Sequence, residues 1–355
     1  QAPSAVTADT TFTLPDGDGA SGQTMITDGA GTLSWAAPYG NRNLIINGAM
    51  NVAARGSSHT TNGYGSLDRY YLALSGATAT MSQEAFSASD RNSLGFEKYL
   101  KLAVSTANNN CGIFHKIEAQ NCLHLIGQKA TLSFYAKGTN PAGGSFTIQP
   151  QWYNNSSGGG DNGVAQSLTI TSSWVKYSFT FDIPAPANTV IDNNAQLSIS
   201  IIQTAGDTST TAWELNLTGL QFEAGETETV FEHEDFGTTL AKCQRYFFRF
   251  QSDTAYDAFA PAYWLVTTQV YAMYEFPVTM RDQPAMTVSS FTSGDWRIHS
   301  NGGDGNLGSL IINRCTPNNV QTYSDQSSNT GTAGHAGAIR NYGSTSPYIE
   351  FSAEL

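Results

Sequence analysis

Short apolar runs alternating with polar residues recur along most of this chain, and they predict strands rather than helices. In 130–136, Leu132 and Phe134 oppose Thr131, Ser133 and Tyr135; in 175–181, Val175, Tyr177, Phe179 and Phe181 share one face. A period of two marks a strand with one buried side. Further strands are expected at 43–46, 70–74, 99–104, 112–117, 145–152, 167–170, 196–202 and 213–222. Polar turn sequences separate them, such as Asn140-Pro141-Ala142-Gly143-Gly144 and the stretch 154–163. Many such strands with no convincing helix between them predict two packed antiparallel sheets over 41–236, with a jelly-roll sandwich as the first choice.

The two ends of the chain read differently. Residues 1–40 place β-prone stretches at 24–27 and 32–35 around Asp28-Gly29-Ala30-Gly31, a hairpin-closing turn. Phe12, Leu14, Met25, Ile26, Leu33 and Trp35 are too few to build a core alone. Three copies wrapped round one axis would bury them, so a short trimeric β stem is expected here, serving as an attachment segment. Residues 237–355 open on a helix candidate at 238–245 and continue in aromatic-rich strands at 245–250, 263–271, 274–278, 285–291, 310–313 and 348–351. They predict a second, smaller β-sandwich domain. The Gly/Asn/Ser-rich stretches 293–308 and 316–346 are expected as long loops, where function or outside contacts concentrate.

Composition narrows the function classes. Charged residues make up 13% of the 355, about half the usual share, and polar neutral residues replace them. A formal charge of −12 excludes the basic field a nucleic-acid binder needs. It disfavours docking on anionic lipid as well, and no apolar run approaches the roughly 20 residues of a membrane helix. Neither a nucleic-acid partner nor membrane insertion is expected.

Candidate chemistry is sparse. Cys111, His115, Cys122 and His124 offer four zinc-type ligands within fourteen residues. Their C-x3-H and C-x-H spacing departs from compact zinc modules, so no metal site and no cofactor are expected. The acidic cluster Glu223, Glu226, Glu228, Glu232, Glu234 and Asp235 lacks the regularity of a calcium loop and reads as a solvated strand end, with Glu223 a partner for Arg69. No nucleophile elbow, phosphate loop or His-Glu-x-x-His motif is present, so the chain is not expected to be an enzyme. Sugars present apolar C–H faces, which favour aromatic platforms beside neutral hydrogen-bonding groups. Trp152, Tyr153 and Asn154, heading the 154–163 stretch, and Trp296 with His299 beside the Gly-rich 301–308, are the glycan-binding candidates. Adjacent strand residues face opposite ways, so one of Trp152 and Tyr153 is expected inside, and core packing is the bland alternative for each ring.

An ordered series of short motifs resembles a domain of phage tail-fibre and virion structural proteins. It begins at Asn43-Leu44-Ile45-Ile46-Asn47-Gly48-Ala49-Met50-Asn51, Arg55-Gly56-Ser57 and Leu67-Asp68-Arg69-Tyr70. It continues through Lys116-Ile117-Glu118-Ala119-Gln120-Asn121, Ser173-Trp174-Val175-Lys176-Tyr177 and Leu220-Gln221-Phe222-Glu223-Ala224-Gly225. It closes on Cys243-Gln244-Arg245-Tyr246-Phe247 and Phe276-Pro277-Val278-Thr279-Met280-Arg281. The resemblance implies a carbohydrate-binding-module-like jelly roll in a homotrimeric virion fibre. Its stem would meet other tail proteins and its far end a host-surface glycan, with a purely structural virion component or a polysaccharide depolymerase as alternatives.

Overall fold

A computed structural model describes residues 11–355 except 20–23, 28, 37–41, 107–110, 143, 154–159, 186–191, 204–210, 253, 290–294, 302, 326–330 and 343–346. The chain is built almost wholly of antiparallel strands. Thr24–Thr27 and Leu33–Ala36 pair as a small hairpin on the turn foreseen between them. Trp35 donates its indole N–H to the Gly17 carbonyl at 2.8 Å, while Phe12, Leu14 and Met25 remain exposed.

Two six-stranded sheets then pack face to face as a jelly-roll sandwich. The central path of one runs Gly160–Asn162, Phe146–Tyr153, Gln196–Gln203, Gly112–Glu118, Tyr70–Ala73, with Gln166–Leu168 also pairing Phe146–Tyr153. The other runs Val175–Asp182, Lys129–Thr139, Trp213–Ala224, Lys98–Thr106, Thr78–Ala85, Ser58–His59. The inward positions of both alternate as the sequence pattern requires, and Leu132, Phe134, Phe146, Ile148, Leu215 and Leu217 meet between them.

Residues 43–46, expected as a strand, form none: the chain bends at Ile45 and turns over 46–49. Asn43 Oδ1 accepts from the Ile45 and Phe222 amides, and Asn47 binds both the amide and the carbonyl of Val52. Side chains that satisfy backbone groups locally compete with a strand ladder, and here they win. Gly48 is required by contact: a Cβ there would lie 2.1 Å from the Leu220 carbonyl oxygen. The asparagine-glycine motif is thus a clamp tying the chain's entry to the strand Trp213–Ala224.

The helix Phe236–Gln244, capped by Asp235 accepting from the Thr238 amide, leads to the second core. A three-stranded sheet (Phe247–Gln251, Tyr348–Ser352, Ala285–Val288) packs on a seven-stranded one. The latter runs Gly303–Asn306, Trp296–Ser300, Ala336–Asn341, Ala258–Val266, Gln269–Glu275, Asn319–Asp325, Ile311–Cys315. Four of these strands occupy stretches expected as long loops. Their Gly, Ser and Asn residues weaken the apolar signal, although Val320, Ile339, Trp296 and Ile298 supply buried positions at the right period.

The two cores meet at a joint made largely of the motif residues. Glu354 is held by Arg55 Nη2 at 3.1 Å and by Arg69 Nη1, and Arg55 also binds Asp68 at 3.0 Å. Arg69 stacks 3.4 Å from the Tyr246 ring and donates to the Lys116 carbonyl at 2.6 Å. Arg245 grips Glu118 through two 3.0 Å hydrogen bonds, and Arg281 reaches the Asn193 carbonyl at 2.6 Å. Arg69 therefore pairs with Glu354, not with Glu223 as expected, because the last strand returns the chain to this point. Glu223 is buried and spends its carboxylate on Gln221 and Thr229.

Burial pushes the Asp68 carboxyl up to about 6, against the pull of Arg55. An acid whose folded pKa exceeds its unfolded value of about 3.9 binds more protons when folded. Stability should therefore fall as pH rises from about 4 through about 6, by up to roughly 3 kcal/mol from this group. Asp68→Asn is expected to flatten that slope in urea midpoints taken across the window; an unchanged slope would place its origin elsewhere.

Candidate functional site

Strand alternation that sends Leu102, Leu215 and Ala136 inward sends Lys101, Ala103, Glu214, Asn216, Lys137 and Thr139 outward on the same sheet. Register then brings them together. Asn216 lies opposite both Lys101 and Lys137, and Glu214 opposite Ala103 and Thr139. Thr80, on the next strand out, lies opposite Ala103. Thr80, Ala103 and Thr139 are small, and a groove of about 610 Å³ opens over this end of the sheet. That volume is within the ordinary range for a small-molecule site.

The polar groups around the groove are fixed by one another. Lys101 Nζ sits 2.9 Å from Glu214, and Asn216 Nδ2 donates to Glu214 at 2.8 Å. Partial burial alone would raise the Glu214 carboxyl, but the Asn216 and Lys101 hydrogen bonds outweigh it and hold the acid below its usual range. The Glu214 hydrogen bond is also what raises Lys101. Asn216 is only 2% exposed, and its Oδ1 has no donor among the described residues. A buried amide oxygen left unpaired costs about 1–3 kcal/mol. Lys137 Nζ stands 5.0 Å from the Trp174 ring, which packs on Phe86 and Tyr99 at 5.0 and 5.4 Å. The groove thus offers a cation, a carboxylate and an amide, and the aromatic cluster stands beside it, next to Lys137.

The residues singled out from the sequence lie elsewhere. Trp152 is 1% exposed and points into the first core, in line with Phe146 and Ile148, so it offers no ring face to solvent. Tyr153 takes the opposite face, half-buried, and donates its hydroxyl to Gln151 at 2.6 Å. Asn154 lies outside the described residues. Trp296 is likewise 1% exposed, packed 4.9 Å from Phe259 in the second core, while His299 is exposed on the outer side of the seven-stranded sheet. Two separate cores hold the two indoles, so these candidates do not assemble into one site.

The possible zinc ligands also diverge. Cys111 and Cys122 are buried, with thiols pushed up to about 12, and Cys122 donates to the Glu118 carbonyl at 3.3 Å. His115 is buried beside Tyr70, and His124 is exposed. Among the described residues no three His, Cys, Asp or Glu side chains converge as a metal site. The acidic cluster is distributed over structural tasks: Glu232 accepts from the Asn43 amide, Glu234 pairs with Lys242, and Asp235 caps a helix.

Sequence reasoning missed Lys101, Lys137, Glu214 and Asn216. Lys101, Glu214 and Asn216 are outward positions of expected strands and Lys137 directly follows one, but nothing in the sequence says which strands are neighbours.

No protein-family model and no curated protein matches the chain. Among solved structures, one similar fold is a CBM4 domain, at 16% identity and a TM-score of 0.33, covering 51% of this chain and 99% of that one. Another is the family 11 carbohydrate-binding module of a Clostridium thermocellum cellulosomal cellulase, at 12% identity and a TM-score of 0.30, covering 49% and 98%. A third is the enzymatically active domain of bacteriophage CBA120 tailspike protein 4, at 14% identity and a TM-score of 0.30. That match covers 52% of this chain and 22% of the tailspike chain.

Proposed function

We propose that this chain is a non-enzymatic glycan-binding subunit of a phage tail fibre, and that the groove over Asn216 and Glu214 takes the sugar. The carrying observation is the groove of about 610 Å³ itself, whose lining brings Lys137, Glu214 and Asn216 together on one sheet face. A saccharide supplies hydroxyl donors for Glu214, acceptors for Lys137, and a C–H face for the Trp174 ring that stands next to Lys137. Glu214 is the one carboxylate lining the groove among the described residues. Hydrolysis by paired carboxylates needs a second about 5–9 Å away, which favours binding over cleavage.

In this reading the chain assembles as a homotrimer through residues 1–40, joins other tail proteins of the virion there, and attaches to a host-surface glycan. The exposed Met25 of the hairpin, with Phe12 and Leu14 on the segment bridged to it, supports such an assembly, since a two-stranded hairpin is marginal by itself. Three grooves on one particle would raise a weak single-site affinity by avidity.

An array of bacterial capsular and lipopolysaccharide oligosaccharides tests the proposal, followed by calorimetry with the best ligand. Glu214→Gln, Lys137→Ala and Trp174→Ala are each expected to weaken binding about tenfold or more, near 1.4 kcal/mol. A silent array would favour a purely structural virion component. Binding that survives all three changes would move the site away from this groove.

A further inference from the structure

Strand parity turns Lys101, Lys129, Lys137 and Lys176 outward on the groove's sheet. Three of them meet a carboxylate: Lys101 lies 2.9 Å from Glu214, Lys129 3.5 Å from Asp182, and Lys176 3.1 Å from Glu228. Lys137 differs. It lines the groove opposite Asn216, yet it forms no ion pair among the described residues. Its Nζ stands instead 5.0 Å from the half-buried Trp174 ring, a contact that places the ammonium without neutralising it.

The groove's own carboxylate does not fill that gap. Glu214 is engaged by Lys101 and by Asn216 Nδ2 at 2.9 and 2.8 Å, and its backbone amide donates to Thr139 Oγ1 at 2.8 Å. Lys137 reaches it only through space, with a weaker pull than either of those side-chain hydrogen bonds. Glu84, outward on the strand Thr78–Ala85, lies three strands from Lys137 and accepts from Ser82 at 2.7 Å. At this end of the sheet two ammonium groups therefore share one carboxylate, and the one lining the groove is the one left over.

We infer that the groove takes an acidic saccharide, whose ring-borne carboxylate pairs with Lys137 while its C–H face lies on Trp174. The inference rests on the glycan-binding reading above and names the class of sugar. A hydroxyl offers an ammonium a neutral acceptor; a carboxylate offers a charge-assisted one, roughly twice as strong. In a hexuronate the carboxylate is attached to the ring itself, so one sugar unit can meet the ammonium and the indole together. The chain's −12 is spread over 355 residues, and screening beyond about 8–10 Å leaves the near field of Lys137 in control at the groove.

The test is the array of capsular and lipopolysaccharide oligosaccharides, probed with the full chain, with each uronate-bearing member also present in carboxyl-reduced form. Binding is expected on uronate-bearing members, with a loss of at least about tenfold on carboxyl reduction. Lys137→Gln should cause the same loss on the unreduced ligand and little on the reduced one. Lys137→Arg keeps the charge and should keep most of the affinity; circular dichroism checks the folding of both variants. Binding to neutral members, or binding that survives carboxyl reduction, overturns the inference and leaves the glycan-binding reading standing. Undiminished affinity of Lys137→Gln for a uronate-bearing ligand overturns it as well. A silent array overturns the inference together with the reading on which it rests.

Discussion

Glu354→Ala is expected to destabilise the folded chain by about 3–5 kcal/mol, the usual cost of breaking a buried ion pair from one side. Arg69 is 0% exposed, and its guanidinium lies between Glu354, the Lys116 carbonyl and the Tyr246 ring. Deleting the carboxylate leaves that charge in the joint with a carbonyl and an aromatic face but no anion. Arg55 loses one of its carboxylates in the same change and keeps Asp68. The loss should appear in guanidinium denaturation as a lower midpoint. Because the pair joins two cores, the transition should also broaden or split. Replacing Arg69 and Glu354 together with Met and Leu should recover most of the stability, since the buried charge disappears with its partner. A loss below about 1 kcal/mol for Glu354→Ala would mean that the pair behaves as an exposed one.

Trp152→Ala is expected to cost a similar amount, about 3–5 kcal/mol, for a different reason. Its ring is 1% exposed between the two sheets, and truncation leaves a cavity that strands on both sides cannot close. Trp152→Phe should return much of the loss. It keeps an aromatic ring and removes an indole N–H that has no acceptor among the described residues. Glu214→Gln, by contrast, should alter glycan affinity with little change in melting temperature. Denaturation and glycan titration on the same three variants separate core from groove. A Trp152→Ala protein of unchanged stability that no longer bound sugar would return that ring to the binding site.

The alternation in 130–136 and 175–181 was enough to read strands, because a period of two follows from backbone geometry alone. The β hairpin near the N-terminus was legible from its turn, and the helix Phe236–Gln244 as a candidate at 238–245; its Asp235 cap was not foreseen. The strand Thr78–Ala85 and the helix Ala88–Leu94 were not foreseen. Thr, Ser and Gln in the former carry little apolar periodicity, and the latter buries no residue that would stamp a period of 3.6 on the sequence. The stretch 43–46 was mistaken for a strand because Leu44, Ile45 and Ile46 look like a strand core, whereas Asn43 and Asn47 decide their backbone.

The candidate site was less legible. Trp152 and Trp296 attracted attention as large aromatics near polar loops, yet burial follows from which way a strand faces its partner sheet. Asn216 and Glu214 looked unremarkable in a strand sequence, since their meaning comes from Lys101 and Lys137 lying opposite. The sequence by itself determined the all-β class, the polar low-charge surface and the inward set of most strands, because these depend on composition and on a local repeat of two residues. Tertiary structure alone decided the neighbours. It set Glu354 against Arg69 across 285 residues and placed Asn216 between two lysines. Register and sheet order arise from long-range pairing, and no local pattern encodes them.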